Sequence, residues 1–272
     1  MRGEAIILAD DAARHASGFV AALAALPAGL PSWAIIGGFA VYARLARVHR
    51  ATGDVDTVTE HQDELVALVV AQPSGERLRT GKVRLAGVEI DVMAVPREDD
   101  EPVGSPSERA FHLVRRYALT TATQERVIVV DPAPARTGQG PTMIREEATV
   151  PIAGPGALVL LKAVALPRRS GTRRGEKVVS DTQDLLRLVT SRGLDFLMTD
   201  IYGAPEELVI YAGRVLTKRC GDDGSYLLAM LRRAGVVGIE ADDLALVAEL
   251  GRLLVASAAA GKGARPSPAA GG

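Results

Sequence analysis

One cysteine in 272 residues, Cys220, can close no disulfide within the chain and cannot build a thiolate zinc site. That fits a reducing cytosol. Cys220 stands at the end of an expected helix with no histidine near it in sequence, so it reads as a small core residue rather than a nucleophile. Histidine is nearly as scarce: His15, His49, His61 and His112 are scattered without metal-ligand spacing. Only His49 falls near a motif, where it lines rather than builds a site. Positive charge is not in excess, with 32 Lys+Arg against 33 Asp+Glu and a formal net charge of −1. A global field that would hold nucleic acid is therefore excluded, and any such partner must be met by a local patch. The uncharged stretch from Gly18 to Ala43 exceeds the roughly 20 residues that span a bilayer, but Pro27, Gly29, Pro31, Gly37 and Gly38 interrupt it. It reads as a helix, a turn and a buried strand. Asp10 and Asp11 before it do not suit a secretory signal, so a cytoplasmic protein without membrane partners is expected. No internal repeat is present.

With 47% hydrophobic and 24% charged residues the chain has the composition of an ordinary globular protein, long enough for one large domain or two small ones. Asp10 is a suitable N-cap for a helix to Leu26, which Pro27 to Pro31 end. Trp33–Ile36 reads as a short strand stopped by Gly37-Gly38, and helical spacing resumes over Phe39–Val48. Asp54–Thr59 alternates as a strand, with Thr59 able to cap a helix to Val70. Lys82–Val95 reads as a hairpin and Val127–Val130 as a further strand. Asp131 to Pro141 is a long loop, after which Gly156–Leu166, Asp181–Val189, Pro205–Cys220, Asp222–Ala234 and Ala241–Ala260 read as helices. The expected organisation is a mixed α/β catalytic part over 1–140, a mostly helical part over 141–260, and a tail over 261–272 too poor in apolar residues to pack.

The chemistry concentrates in Ile35 to Asp56, where a strand, a Gly-Gly turn and a helix lead to a strand carrying two carboxylates one residue apart. Alternate strand residues share a face, so Asp54 and Asp56 project together. Two such acids repel each other unless a cation lies between them. Magnesium prefers oxygen ligands and commonly pairs one or two carboxylates with substrate phosphates. Asp91, in VEIDV, would add a third acid from a neighbouring strand. A D-x-D pair alone is also what a solvated edge strand carries, and a Gly-Gly pair alone is often a plain turn. The order of the three together is harder to explain as packing. The glycines then have a use, since backbone without Cβ atoms approaches a phosphate closely and the following helix turns its N–H groups toward it.

In these residues the chain resembles the nucleotidyltransferase superfamily, whose pattern is Gly-Gly or Gly-Ser, a helix, Asp-hydrophobic-Asp and a third Asp on a later strand. Gly37-Gly38, Arg50-x-Thr52-x-Asp54-Val55-Asp56 and Asp91 are most similar to its AbiEii branch, which includes MenT-like toxins. The run VPIAGPGALVLLKAVALPRRSGTRRGEKVVSDTQDLLRL resembles that branch's helix-borne lysine, basic stretch and downstream aspartate. The likeness spans roughly residues 33 to 190. It implies a nucleotidyltransferase-fold mixed sheet with flanking helices, of α/β (α+β) class, followed by a helical C-terminal half. It also implies transfer of a nucleoside monophosphate from an NTP to an acceptor hydroxyl. Asp54, Asp56 and Asp91 would hold two Mg²⁺ ions. Gly37, Gly38, Arg50, Thr52 and Lys162 would bind nucleotide, Lys162 on the triphosphate. Asp181 would be the downstream catalytic aspartate, with Asp184 able to fill the same role.

Arg168, Arg169, Arg173, Arg174 and Lys177 form a basic run with Glu176 as its one acid. A solvated loop can look like this, but arginine forks suit phosphate, and the run is the expected acceptor-binding segment. The resemblance favours tRNA as acceptor, a toxin of a toxin–antitoxin or abortive-infection system, and an antitoxin protein as possible partner. Two alternatives stay open: an antibiotic nucleotidyltransferase, and a catalytically silent nucleotide-binding relative. A polycationic aminoglycoside would want an acidic cleft, which the basic run does not offer.

Overall fold

A computed structural model describes residues 5–10, 14–27, 29–47, 49–50, 52–97, 104–131, 144–168 and 175–263. The chain divides into two compact units, Met1–Glu101 with Arg115–Leu158, and Pro102–Val114 with Val159–Gly272.

Among the described residues the first unit is built on a mixed sheet of eight strands: β1 (Ile6–Ala9), β2 (Trp33–Ile36), β3 (Asp54–Thr59), β4 (Gly75–Arg79), β5 (Lys82–Leu85), β6 (Val88–Ala94), β7 (Thr123–Val130) and β8 (Ile144–Ile152). Their order is β1-β7-β8-β2-β3-β6-β5-β4. β1 with β7, β2 with β8 and β3 with β6 run parallel, and the other neighbours antiparallel. Val55, Val83, Leu85, Ile90 and Val92 supply the buried face around β3, β5 and β6. The other face of those strands carries the acids, which is the consequence of a period of two. Helices α1 (His15–Ala24), α2 (Gly37–Leu45) and α3 (Gln62–Val70) belong to this unit, and the Phe19 and Phe39 rings meet edge to face at 5.6 Å.

Helix α4 (Pro106–Thr120) and helix α5 (Pro155–Ala165) each carry the chain from one unit into the other. The second unit continues through a 3₁₀ turn (Leu166–Arg168), α6 (Gly175–Arg192), α7 (Leu194–Ile201), α8 (Glu206–Leu216), a π-helical turn (Thr217–Asp222), α9 (Gly224–Arg233) and α10 (Ala241–Gly263). No strand occurs in it among the described residues. Helices α8 and α10 cross at glycines: a Cβ on Gly213 would lie 2.7 Å from the Gly251 carbonyl, and one on Gly251 2.6 Å from that of Gly213. Cys220 is buried in the π-helical turn, and burial pushes its thiol pKa up to about 12, as befits an inert core residue. No helix among the described residues is long and apolar enough to cross a membrane.

Several local expectations change. Gly37-Gly38 is the opening of α2 rather than a turn before it. The α3 N-cap is His61, while Thr59 ends β3, donating to the Ser32 carbonyl at 2.6 Å and accepting the His61 N–H at 3.0 Å. Asp10 is not the residue at the cap of α1, which is Arg14, but its carboxylate accepts the Ser17 N–H in that helix's first turn at 3.3 Å. Helix α6 begins at Gly175, six residues earlier than Asp181, so Asp181 and Asp184 are mid-helix. Strands β1, β4 and β8 and helices α4 and α7 were not anticipated. β8 belongs to the sheet although it lies past the long loop; Pro151 and the Glu146-Glu147 pair disguise its alternation. For α4 a signal existed: Ser105 and Glu108 form a capping box, the Ser105 N–H donating to Glu108 at 2.8 Å, with Pro106 at the first helical position. Residues 132–141 of the expected loop and most of the tail lie outside the described residues.

Candidate active site

The acids meet because β3 and β6 are paired in parallel with Asp56 opposite Asp91 and Asp54 opposite Glu89. Side chains opposite each other share a face, so register alone brings the three aspartates to one patch. One carboxylate oxygen from each of Asp54, Asp56 and Asp91 lies within 4.8 Å of the others, and all three side chains are half-buried. Three carboxylates at this spacing fit a hard divalent cation by donor chemistry: all ligands are oxygen and each is charged. Thr57, the residue after Asp56 and fully buried, donates to the Asp91 carbonyl at 3.1 Å and so fastens the two strands at the site.

The glycines that open α2 reach the same patch from β2. Gly37 has a φ of +71°, and a Cβ there would overlap the Asp56 carboxylate, with 2.8 Å to Cγ and 2.9 Å to Cβ. Only glycine lets the backbone pass so near. A Cβ on Gly38 would come within 2.7 Å of the Arg50 guanidinium and 2.9 Å of the Thr52 hydroxyl. Gly37, Gly38, Arg50, Thr52 and Asp56 are thus one cluster. Helix α2 opens beside it with no side-chain cap and no acid in its first turn, so its first N–H groups and the positive end of its dipole belong to this cluster. Arg50 is steadied from behind, its guanidinium 5.9 Å from the Tyr42 ring centroid and its carbonyl accepting the Tyr42 hydroxyl. His49 packs its ring edge-on to Tyr42 at 5.2 Å, so it supports this wall.

No protein-family model matches the chain, and no curated protein matches it. Among solved structures it is similar to an antigenic nucleotidyltransferase-like protein from Paracoccidioides brasiliensis, with 20% identity and a TM-score of 0.39 over 73% of this chain and 84% of that one.

A cation absent from the sequence reading also belongs to the patch. Lys82 on β5 stands opposite Asp91, and its ammonium lies 2.7 Å from Glu89 and 3.5 Å from Asp91. The hydrogen bond to Glu89 raises its pKa against the opposing effect of burial, and the charges of Asp91, Glu89 and Asp54 add to the rise. Lys82 therefore stays charged and partly offsets the acids. The signal was present as alternation: Lys82 and Arg84 on one strand of the hairpin, Glu89 and Asp91 on the other.

In the second unit Lys162, Asp181 and Asp184 form a buried cluster of their own. The Lys162 ammonium is 2.7 Å from Asp181 and 2.7 Å from Asp184, and all three side chains are buried. Asp181 and Asp184, three residues apart on α6, share a helix face, so both reach the lysine and neither displaces the other. Burial disfavours the charged lysine, but Asp184 and then Asp181 outweigh it and raise its pKa. Of the basic run, Arg168 is exposed with its guanidinium 4.7 Å from the Phe111 ring centroid, and Lys177 is exposed in the first turn of α6 rather than on a loop. Arg169, Arg173 and Arg174 lie outside the described residues.

Proposed function

We propose that the chain is a Mg²⁺-dependent nucleotidyltransferase that moves a nucleoside monophosphate from an NTP to an acceptor hydroxyl, with RNA of the tRNA class as acceptor. The observation that carries the reading is the convergence of Asp54, Asp56 and Asp91 with a glycine backbone pressed against Asp56. In the reaction the acceptor oxygen forms a bond to the α-phosphorus while the bond from that phosphorus to the bridging oxygen of pyrophosphate breaks. Pyrophosphate leaves with the electron pair. Two divalent ions, when bound, supply charge neutralisation at the entering and leaving oxygens.

The chain's own residues do the positioning. Asp54 and Asp56 hold the nucleotide side of the metal site and Asp91 the acceptor side, where its carboxylate draws the proton from the attacking hydroxyl. The amides of Gly37 and Gly38, with Arg50 and Thr52, cradle phosphate oxygens at the open end of α2. Positioning and electrostatics supply most of the catalysis in such transfers, so few further side chains are needed. Lys162 as triphosphate contact, Asp181 as the downstream catalytic aspartate with Asp184 able to fill the same role, and the run Arg168 to Lys177 as a surface for the acceptor backbone complete the proposal. The resemblance to the AbiEii branch supports a toxin role, in which modification of tRNA blocks translation and an antitoxin restrains the enzyme.

The test is incubation of the protein with each labelled NTP, Mg²⁺ and total tRNA, beside Asp56→Asn. Label transferred to RNA by the wild type and not by the variant is the expected result. Transfer to an aminoglycoside with none to RNA would overturn the acceptor assignment, and no NTP-derived label on any acceptor would overturn the activity.

A further inference from the structure

Residues opposite each other in the sheet form rows that project from one face. One row reads Arg79, Lys82, Asp91, Asp56 across β4, β5, β6 and β3, and ends at Ile36, the residue before Gly37. Plain alternation would set Arg79 on the face of Arg77 and Val83. A register shift between Arg77 and Arg79 turns Arg79 onto the acid-bearing face instead, which is what a bulge does to the side chain after it. Along this row the charge changes sign: two acids near the glycines that open α2, then two cations beyond them.

A cleft of about 610 Å³ opens at the cationic end, lined by Asp56, Asp91, Arg79, Thr80, Gly81 and Arg115 among others. That volume is within the range that takes a small molecule or a single nucleotide. Arg115 donates to the Ala94 carbonyl at 2.6 Å, which orients its guanidinium at the rim, and Arg79 is exposed with no ion pair among the described residues. The acids therefore stand between two different places: the glycines of α2 with Arg50 and Thr52 on the β2 side, and this cleft on the β4 side. A metal-dependent transfer needs one substrate on each side of its ions.

We infer that the cleft is the acceptor subsite and that it takes a hydroxyl compound carrying phosphate next to the reacting hydroxyl, the terminal nucleotide of an RNA strand. The inference rests on the nucleotidyl-transfer reading and adds to it where the acceptor ends. The phosphate lies on Arg79 and Arg115 and the hydroxyl faces Asp91. Arg79 is two strands beyond Asp91, about 10 Å at the usual strand spacing, which one nucleotide and a reaching arginine side chain span. Guanidinium forks match phosphate oxygens in pairs, whereas a polycationic acceptor would be repelled from the same wall.

The test uses the full chain and a fluorescein-labelled RNA hexanucleotide, with AMP as the free-phosphate competitor. Arg79→Gln with Arg115→Gln should weaken hexanucleotide binding at least tenfold and flatten the salt slope by about 1.4, at roughly 0.7 per phosphate contact on a single strand. Arg79→Gln alone, at an exposed position that the fold tolerates, should remove about half of that slope. Arg126→Gln, on β7, should leave binding unchanged, and the thermal shift produced by NTP should survive in every variant. Wild-type affinity and slope in the double variant would overturn the assignment. So would loss of the NTP shift instead of RNA binding, which would make the cleft a triphosphate site. Displacement of the hexanucleotide by AMP at equal concentration would move the acceptor from a strand end to a free nucleotide. RNA binding that depends on both arginines in a wild type that transfers no nucleotide supports the cleft and refutes the nucleotidyl-transfer reading alone.

Discussion

Replacing Lys162 by methionine keeps the length of an unbranched side chain and removes its charge from between two buried aspartates. The ammonium is 2.7 Å from each of Asp181 and Asp184. At an effective dielectric of about 20, each contact is worth roughly 6 kcal/mol of Coulomb attraction. Desolvation of three buried ions takes back several kcal/mol apiece, so the net value of the cluster is small. The variant loses the attraction and keeps the desolvation of both acids, now repelling each other, and should be destabilised by about 3–5 kcal/mol. That corresponds to a fall in Tm of about 10 °C for a domain of this size. Far-ultraviolet circular dichroism follows the helical unit, while emission from Trp33, the one tryptophan, follows the sheet unit. Adding Asp181→Asn and Asp184→Asn to Lys162→Met should restore much of the loss, because it removes the stranded charges. The pH dependence has a definite sign. The folded-state pKa of Lys162 is raised, so its contribution is complete below the ordinary lysine pKa and fades as pH climbs through the raised value. Wild type should lose stability in strong alkali more steeply than the variant. A loss below 1 kcal/mol for Lys162→Met, with an unchanged alkaline limb, would refute the idea that the buried cluster holds α5 to α6.

Asp56→Asn should abolish the thermal stabilisation by Mg²⁺, which in wild type reaches about 2.7 kcal/mol at a hundredfold excess over Kd, while its Tm in EDTA stays equal or rises through relief of like-charge repulsion; a collapse in EDTA would mark a structural acid. Gly37→Ala should lower stability by 1 kcal/mol or more and reduce nucleotide transfer further than that loss explains, since its φ is +71° and the new methyl displaces Asp56; wild-type transfer would show that the backbone does not need to pass there. Cys220 should resist a thiol reagent at pH 8 in the native protein and react at once in denaturant, as burial and a thiol pKa of about 12 require; rapid native reaction would show the π-helical turn to be open.

Much of the site was legible because its signals are local. Gly37-Gly38 and the spacing of Asp54 and Asp56 are written in adjacent residues, and the period of two already places both acids on one face. The match of Asp56 with Asp91 needed only the further guess that their strands were neighbours, and the parallel β3–β6 pairing provides it. Lys82, Arg79 and Arg115 were not legible in this way. Lys82 enters through the register of the β5–β6 hairpin, Arg79 through a bulge that reverses the face its position in the strand would suggest, and Arg115 from a helix distant in sequence. The surroundings of Lys162 also turned on packing, which sets its ammonium between two aspartates of the neighbouring helix. The amino-acid order specified the acids, the glycines and the period that aligns them, because those depend on backbone geometry over a few bonds. Strand register, the bulge and the burial of Lys162 arose from long-range pairing and exclusion of water, which no short stretch of the chain encodes.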